Sequence, residues 1–103
     1  MDDGREISIV MTTDERSAMM DEPDVEGHIL SAAARAALLS AALHPGGIPQ
    51  WWFTCSSDVA RELLGWAEAG VARWGDPAKS ALFNRAARQV RLALWQVGAG
   101  PAP

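Results

Sequence analysis

The sequence predicts a small α+β domain, mostly helical, in which a central alanine-rich helix and a helical hairpin pack with two short strands. Three observations lead to this prediction. A chain of 103 residues fits one hydrophobic core. Apolar residues recur at helical spacing through most of the chain after residue 23, and two short β-branched or aromatic segments each run into a helix-start signal. We therefore expect a single domain over 1–103, with a strand-helix-strand unit at 6–56, the hairpin at 57–97, and flexible ends at 1–5 and 98–103.

The first strand is predicted at residues 6–12, where apolar and polar side chains alternate and β-branched residues are frequent. It ends at Thr13, whose hydroxyl is expected to cap a brief helical turn over residues 14–16. The second strand is predicted at residues 50–55, just before Ser57 and a second helix start. Two strands that pair once are marginally stable, so a helix should cover them.

The central helix is predicted to open at Pro23 and Asp24 and to end near Leu43, because Pro45 and the glycines after it cannot continue a helix. Its polar residues form one narrow stripe, and nearly all its other residues are apolar or alanine. So wide an apolar arc favours a position in the middle of the fold, where alanines permit close approach by neighbouring elements. The polar stripe consists of Asp24, His28, Ser31 and Arg35.

The hairpin consists of predicted helices at residues 58–74 and 77–97. Asp76 and Pro77 supply an N-cap and a first-turn proline to the second helix, and Gly75 ends the first one. So short a connection favours antiparallel packing. The predicted buried stripes are Val59, Leu63, Trp66, Ala67, Gly70 and Trp74 on the first helix, and Leu82, Phe83, Ala86, Val90, Ala93, Leu94 and Val97 on the second.

Charge divides the chain into two parts. Residues 1–26 contain nine acidic and two basic residues, which gives −7, whereas residues 27–103 contain four acidic and seven basic residues, which gives +3. Such asymmetry serves either an internal contact or the steering of a charged partner onto one end.

Composition also restricts the class of protein. Residues 1–6 have a net charge of −2 and lack the apolar run of a secretory signal, and the apolar stretch from Ile29 to Leu43 is shorter than the roughly 20 residues that span a bilayer. Cys55 is the only cysteine, so no intrachain disulfide can form. We expect a protein of a reducing cytoplasm with no membrane partner.

Cys55 and Arg61 have the Cys-x5-Arg spacing, and Cys55 lies just before a predicted helix N-terminus, which lowers a thiol pKa. This segment resembles the phosphate loop of cysteine-dependent phosphatases. The resemblance implies a cysteine nucleophile and an arginine that holds phosphate oxygens. The seven residues differ from that family in having no preceding His, no loop glycine, and Glu62 where a hydroxyl residue is usual. A half-buried structural cysteine is the interpretation we favour.

The sequence predicts neither a metal site nor a bound cofactor. His28 and His44 lie at opposite ends of the predicted central helix, and Asp24 with His28 supplies only two ligands on one helix face. No phosphate-binding glycine loop, paired catalytic acids or Ser-His-Asp group occurs. The sequence therefore predicts that the protein is not an enzyme.

A basic cluster on the last helix suggests an alternative function. Arg85, Arg88 and Arg91 follow Lys79 there, and Trp95 lies on the same side as Arg88, where an aromatic ring could stack on a base. Against nucleic-acid binding, the chain is acidic as a whole and lacks helix-turn-helix spacing. The same face also suits internal docking of the acidic N-terminal segment.

Five tryptophans, two phenylalanines and no tyrosine make up the aromatic residues. Trp66 and Trp74 fit the core by their spacing. Trp51 and Trp52 are adjacent in a strand and point to opposite faces, so one of them, together with Trp95, lacks an internal position. Tryptophan is enriched among the anchors of protein interfaces.

These observations predict a non-enzymatic protein-binding module, such as a regulator, an inhibitor, or an antitoxin-like or immunity-like protein. The acidic segment would steer a basic partner, the tryptophans would anchor it, and an open strand edge would favour a homodimer. The predicted partner-binding residues are Trp51, Trp52, Trp95, Asp14, Glu15, Asp21, Glu22, Arg88 and Arg91.

Overall fold

The computed structural model describes residues 6–21, 30–44, 49–73 and 76–100. Within these ranges the chain forms three strands and four helices, and the α+β, mostly helical class is confirmed. In chain order the elements are β1 (Ile7–Thr12), α1 (Thr13–Asp21), α2 (Ala32–Leu39), β2 (Ala42–His44), β3 (Gln50–Cys55), α3 (Ser57–Arg73) and α4 (Pro77–Gln96).

The strands form one antiparallel sheet in the order β1-β3-β2. Ile9 of β1 lies opposite Phe53 of β3, and both are buried. Because side chains alternate along a strand, the odd-numbered residues of β1 and β3 share this inner face and the even-numbered residues share the outer face. The predicted strand at 50–55 is confirmed residue for residue, and the first strand begins one residue later than predicted.

The core lies between the inner face of the sheet and the helices. β1 contributes Ile7, Ile9 and Met11, all at most 1% exposed, and α4 packs against this strand. The outer face receives no such layer from the described helices. The other fully buried large side chains are Met19, Leu38, Leu63, Phe83 and Val90.

The predicted hairpin is confirmed, with α3 and α4 in extensive contact. Asp76 caps α4 by accepting a hydrogen bond from the Ala78 N–H at 3.0 Å. Both apolar stripes are buried or half-buried wherever their side chains are described. The stripe position Trp74 and the stop at Gly75 lie outside the described residues.

The predicted central helix differs most from the structure. Its described part, α2, begins after Ser31, whose hydroxyl accepts a hydrogen bond from the Ala34 N–H at 3.1 Å. Ser40 is its C-cap: the Ser40 N–H donates to the Ala36 carbonyl, and the Ser40 hydroxyl donates to the Ala37 carbonyl at 2.7 Å. Residues 42–44 form β2 instead of a last helical turn, so the sheet has three strands rather than two. The predicted start at Asp24 lies outside the described residues.

The helical turn predicted at residues 14–16 is the nine-residue helix α1. Its cap is not Thr13 but Thr12, whose hydroxyl accepts from the Glu15 N–H while the Glu15 carboxylate accepts from the Thr12 N–H. This reciprocal pair is a capping box, and it satisfies two helix-end donors at once. The Thr13 hydroxyl instead accepts a hydrogen bond from Trp51 Nε1–H.

Residues 98–100 turn back onto the hairpin, although the sequence predicts that residues 98–103 have nothing to pack against. Gly98 takes a φ of +74°, which favours glycine at a helix C-terminus. The Ala99 N–H then bonds to the Leu94 carbonyl at 2.9 Å, and Ala99 packs against the core. Residues 101–103 lie outside the described residues.

Candidate docking surface

The outer face of the sheet carries a row of three apolar side chains. Trp52 lies opposite Val10 on one side and Ala42 on the other, so the row crosses all three strands. Trp52 is 44% exposed and Val10 is 38% exposed, and Ala42 is exposed as well. We call these three residues the Trp52 row. Ser8, Thr12, Gln50, Thr54 and His44 surround it on the same face.

Two further apolar side chains are exposed outside the Trp52 row, and one of them, Leu43, lies opposite Trp51 and so on the inner side of the sheet. Leu43 in β2 and Leu39 at the end of α2 are both more than half exposed. The sequence predicts both within the apolar arc of the central helix. That assignment is wrong because α2 ends at Leu39 and buries only Ala34, Ala37 and Leu38.

Trp51 lies on the inner side and is held by the protein itself. Its Nε1–H donates to the Thr13 hydroxyl at 2.8 Å. The Arg16 guanidinium lies 4.3 Å from the centre of the ring, and Arg16 Nε donates to the Leu38 carbonyl at 3.1 Å. Trp51 therefore joins α1, α2 and β3, and it leaves Trp52 as the exposed member of the pair.

Of the other described tryptophans, Trp66 is buried and Trp95 is exposed. Trp66 is buried and donates its Nε1–H to the Met19 carbonyl at 3.2 Å, so its only polar group is satisfied. Trp95 is 48% exposed near the end of α4. Because α4 packs on the inner side of the sheet, Trp95 and Trp52 belong to different surfaces. Trp74 lies outside the described residues.

The acidic segment does not form one exposed surface. Asp14 is exposed, but Glu15 is only 3% exposed, and its carboxylate is occupied by the Thr12 N–H and by Arg85 Nε at 3.5 Å. The expectation that Glu15 steers a partner is corrected by this burial. Asp21 is the last residue of α1, and Glu22 lies outside the described residues.

The basic face of α4 is partly used inside the molecule. Arg85 pairs with Glu15, and Arg91 Nη2 lies 3.2 Å from the Glu68 carboxylate on α3. Arg88 is exposed. The ion pair between Arg85 and Glu15 is a contact between the basic face of α4 and the acidic N-terminal segment, one of the two roles that the charge pattern suggests. It also reduces the positive charge that this face would present to a nucleic acid.

The geometry around Cys55 does not favour a phosphate loop. Burial raises the pKa of the Cys55 thiol to about 11, so the thiolate is scarce at neutral pH. Arg61 is directed elsewhere, with Nη1 3.5 Å from the Asp58 carboxylate and Nη2 donating to the Ala99 carbonyl at 3.1 Å. Both observations fit a structural cysteine.

The described residues contain no group of three or more His, Cys, Asp or Glu side chains that could hold a metal ion. A shallow cleft of about 470 Å³ lies beside the capping box, lined by Thr12, Thr13, Asp14, Glu15, Pro49 and Arg85. The buried carboxylate at this cleft is already hydrogen-bonded and ion-paired, so no unsatisfied group points to a ligand.

Within the described parts of the chain, no helix has the length and apolar character needed to cross a bilayer. Comparison with protein-family models, with curated proteins and with solved structures finds no match to this chain.

Proposed function

We propose that the protein is a non-enzymatic protein-binding module, and that the Trp52 row is its main docking surface. The observation that carries the proposal is the exposed indole of Trp52 at the centre of a sheet face that no described helix covers. An open face of an antiparallel sheet is ordinarily polar, whereas this one has an apolar row with a polar border.

The energetics of interfaces support the same choice. A tryptophan that becomes fully desolvated at the centre of an interface commonly contributes about 2 kcal/mol or more, and surrounding polar residues exclude water from it. Ser8, Thr12, Gln50 and Thr54 stand in positions to form such a border. Trp95 supplies a second apolar anchor on the separate surface of α4.

The proposal extends to a regulator or inhibitor role in a reducing cytoplasm, in keeping with the free thiol of Cys55. It also includes self-association of the chain, because no described strand pairs with the outer edge of β1. Among the acidic residues predicted to steer a partner, Asp14 is the one with a described and exposed side chain, so the proposal assigns steering to Asp14.

The test places a photoreactive benzophenone side chain at position 52, with the exposed position 58 on α3 as the control. Irradiation in a lysate of the source cells should give a discrete protein adduct from position 52 and none from position 58. Affinity for the protein identified in this way is then measured with folded Trp52→Ala and Arg88→Ala variants. We expect a loss of roughly 30-fold or more for Trp52→Ala.

Unchanged affinity of a Trp52→Ala variant that retains the wild-type circular dichroism spectrum would refute this docking surface. A loss confined to Arg88→Ala would instead place the protein contact on the basic face of α4. Binding of the wild-type chain to DNA or RNA that weakens steeply with salt in a gel shift would favour the nucleic-acid alternative.

A further inference from the structure

We propose that two copies of this chain pair through their β1 strands, antiparallel about a two-fold axis at Val10, to form one continuous six-stranded sheet. The inference rests on the self-association included in the proposed function, and it specifies the interface and the register. It does not depend on whether Trp52 binds another protein.

Within the described residues, β1 is an unprotected edge of the sheet. Natural sheets blunt their edges with very short strands, prolines, charged residues or bulges. β2, the opposite edge, has three residues, whereas β1 has six and contains neither proline nor charge. The pairing of β1 with β3 runs without a bulge from Ile7 to Thr12.

The main-chain N–H and C=O groups of alternate β1 residues point away from β3. Ile7 and Ile9 are 0% exposed, main chain included, whereas Ser8 and Val10 are exposed. In an antiparallel pair, alternate residues exchange hydrogen bonds with the neighbouring strand and the others direct N–H and C=O away from it. This alternation assigns Ser8, Val10 and Thr12 to the outward set.

The Thr12 N–H agrees with that assignment, because it donates to the Glu15 carboxylate rather than to β3. That bond closes the edge at its C-terminal end. Ser8 and Val10 then offer both N–H and C=O groups to a second strand.

The sequence of β1 also complements itself in an antiparallel pair. With Val10 opposite its own copy, each Ser8 lies opposite Thr12 of the other copy on the outer face, and each Ile9 lies opposite Met11 on the inner face. Within residues 8–12, hydroxyl therefore meets hydroxyl and apolar meets apolar at every position, whereas Ile7 has no strand residue opposite it. Such cross-strand pairs contribute roughly 0.2–1 kcal/mol each.

The two-fold axis at Val10 also brings the outer faces of the two sheets into line. Ala42, Trp52 and Val10 already lie in one row across β2, β3 and β1. Pairing at Val10 joins this row to its counterpart, so that an apolar band crosses all six strands.

The test measures the mass of the full-length protein by sedimentation velocity. The wild-type chain should sediment as a dimer. Val10→Lys and Val10→Glu should each give folded monomers, because like charges would meet at about 5.5 Å between Cα atoms across the axis. An equal mixture of the two variants should restore a dimer. Thr54→Lys, on the same face but on the central strand, should leave the dimer intact.

A cysteine series keeps the inference testable if a charged variant fails to fold. In a Cys55→Ser background, Val10→Cys should cross-link to itself under mild oxidation. Ser8→Cys should cross-link only with Thr12→Cys, because two copies of residue 8 would lie roughly 13 Å apart in this register.

A monomeric wild-type protein, or a dimer that persists in Val10→Lys, overturns the inference. Self-cross-linking of Ser8→Cys overturns the register. None of these outcomes affects the benzophenone adduct expected at position 52, so failure of the dimer and failure of the docking surface are distinguishable.

Discussion

Glu15 is an acidic residue that the local sequence buries, because it forms a capping box with Thr12. It follows Thr12 at capping-box spacing, and its carboxylate also meets Arg85 Nε at 3.5 Å. The Thr-x-x-Glu pattern was present in the sequence and would have identified this role. An acidic residue in a charged segment is therefore not automatically available to a partner.

Glu15→Ala is expected to lower the free energy of unfolding by about 1–3 kcal/mol, because the Thr12 N–H loses its acceptor and Arg85 loses its carboxylate. Urea denaturation measures the loss. The matched control is Asp14→Ala, an exposed neighbour in the same helical turn, for which we expect less than about 1 kcal/mol. Glu15→Gln, which keeps an oxygen acceptor, should fall between them. Equal losses at positions 14 and 15 would contradict the assigned role.

At the scale of elements, the hairpin was the most predictable part of the fold. Its signals are local: apolar spacing of three and four residues, and an Asp76-Pro77 start that fits one conformation. The end of α2 was not predictable in this way. Ala42 and Leu43 continue the apolar helical pattern, and they form a strand only because β3 offers them an edge to pair with.

The same contrast applies to the candidate site. Alternation predicts that one of Trp51 and Trp52 points away from the core, and the structure agrees. Which one does so depends on the face that carries Phe53, and only the packing of the helices decides that. Val10, Leu39 and Leu43 were missed because their exposure follows from what the helices leave uncovered.

Two glycines of α3 give a prediction about how closely the hairpin packs. A Cβ at Gly70 would lie 2.5 Å from Cδ1 of Phe83, whereas a Cβ at Gly65 meets nothing within 4 Å. Gly70→Ala should therefore destabilise the protein by about 1–3 kcal/mol through overpacking. Gly65→Ala should stabilise it by roughly 0.5–1 kcal/mol through helix propensity. Thermal denaturation of both variants tests this, and a stabilising Gly70→Ala would show that the two helices can separate without cost.

For the molecule as a whole, the radius of gyration of 12.9 Å equals the roughly 13 Å expected for a compact chain of 100 residues. The exposed rings of Trp52 and Trp95 therefore lie on the surface of a closed fold and do not result from loose packing. They also lie on different sides, since α4 covers the inner face of the sheet and Trp52 occupies the outer one. The molecule thus has two separate apolar contact points.

Dimerisation through β1 would couple stability to protein concentration, because only folded chains can pair. A hundredfold increase in concentration stabilises the folded dimer by about 2.7 kcal/mol of dimer, which corresponds to a rise of roughly a few degrees in Tm for a domain of this size. Calorimetry of the wild-type chain over that range should show the rise. Val10→Lys, which keeps the core but blocks pairing, should unfold at one temperature throughout. The same shift in both proteins would mean that association occurs away from β1.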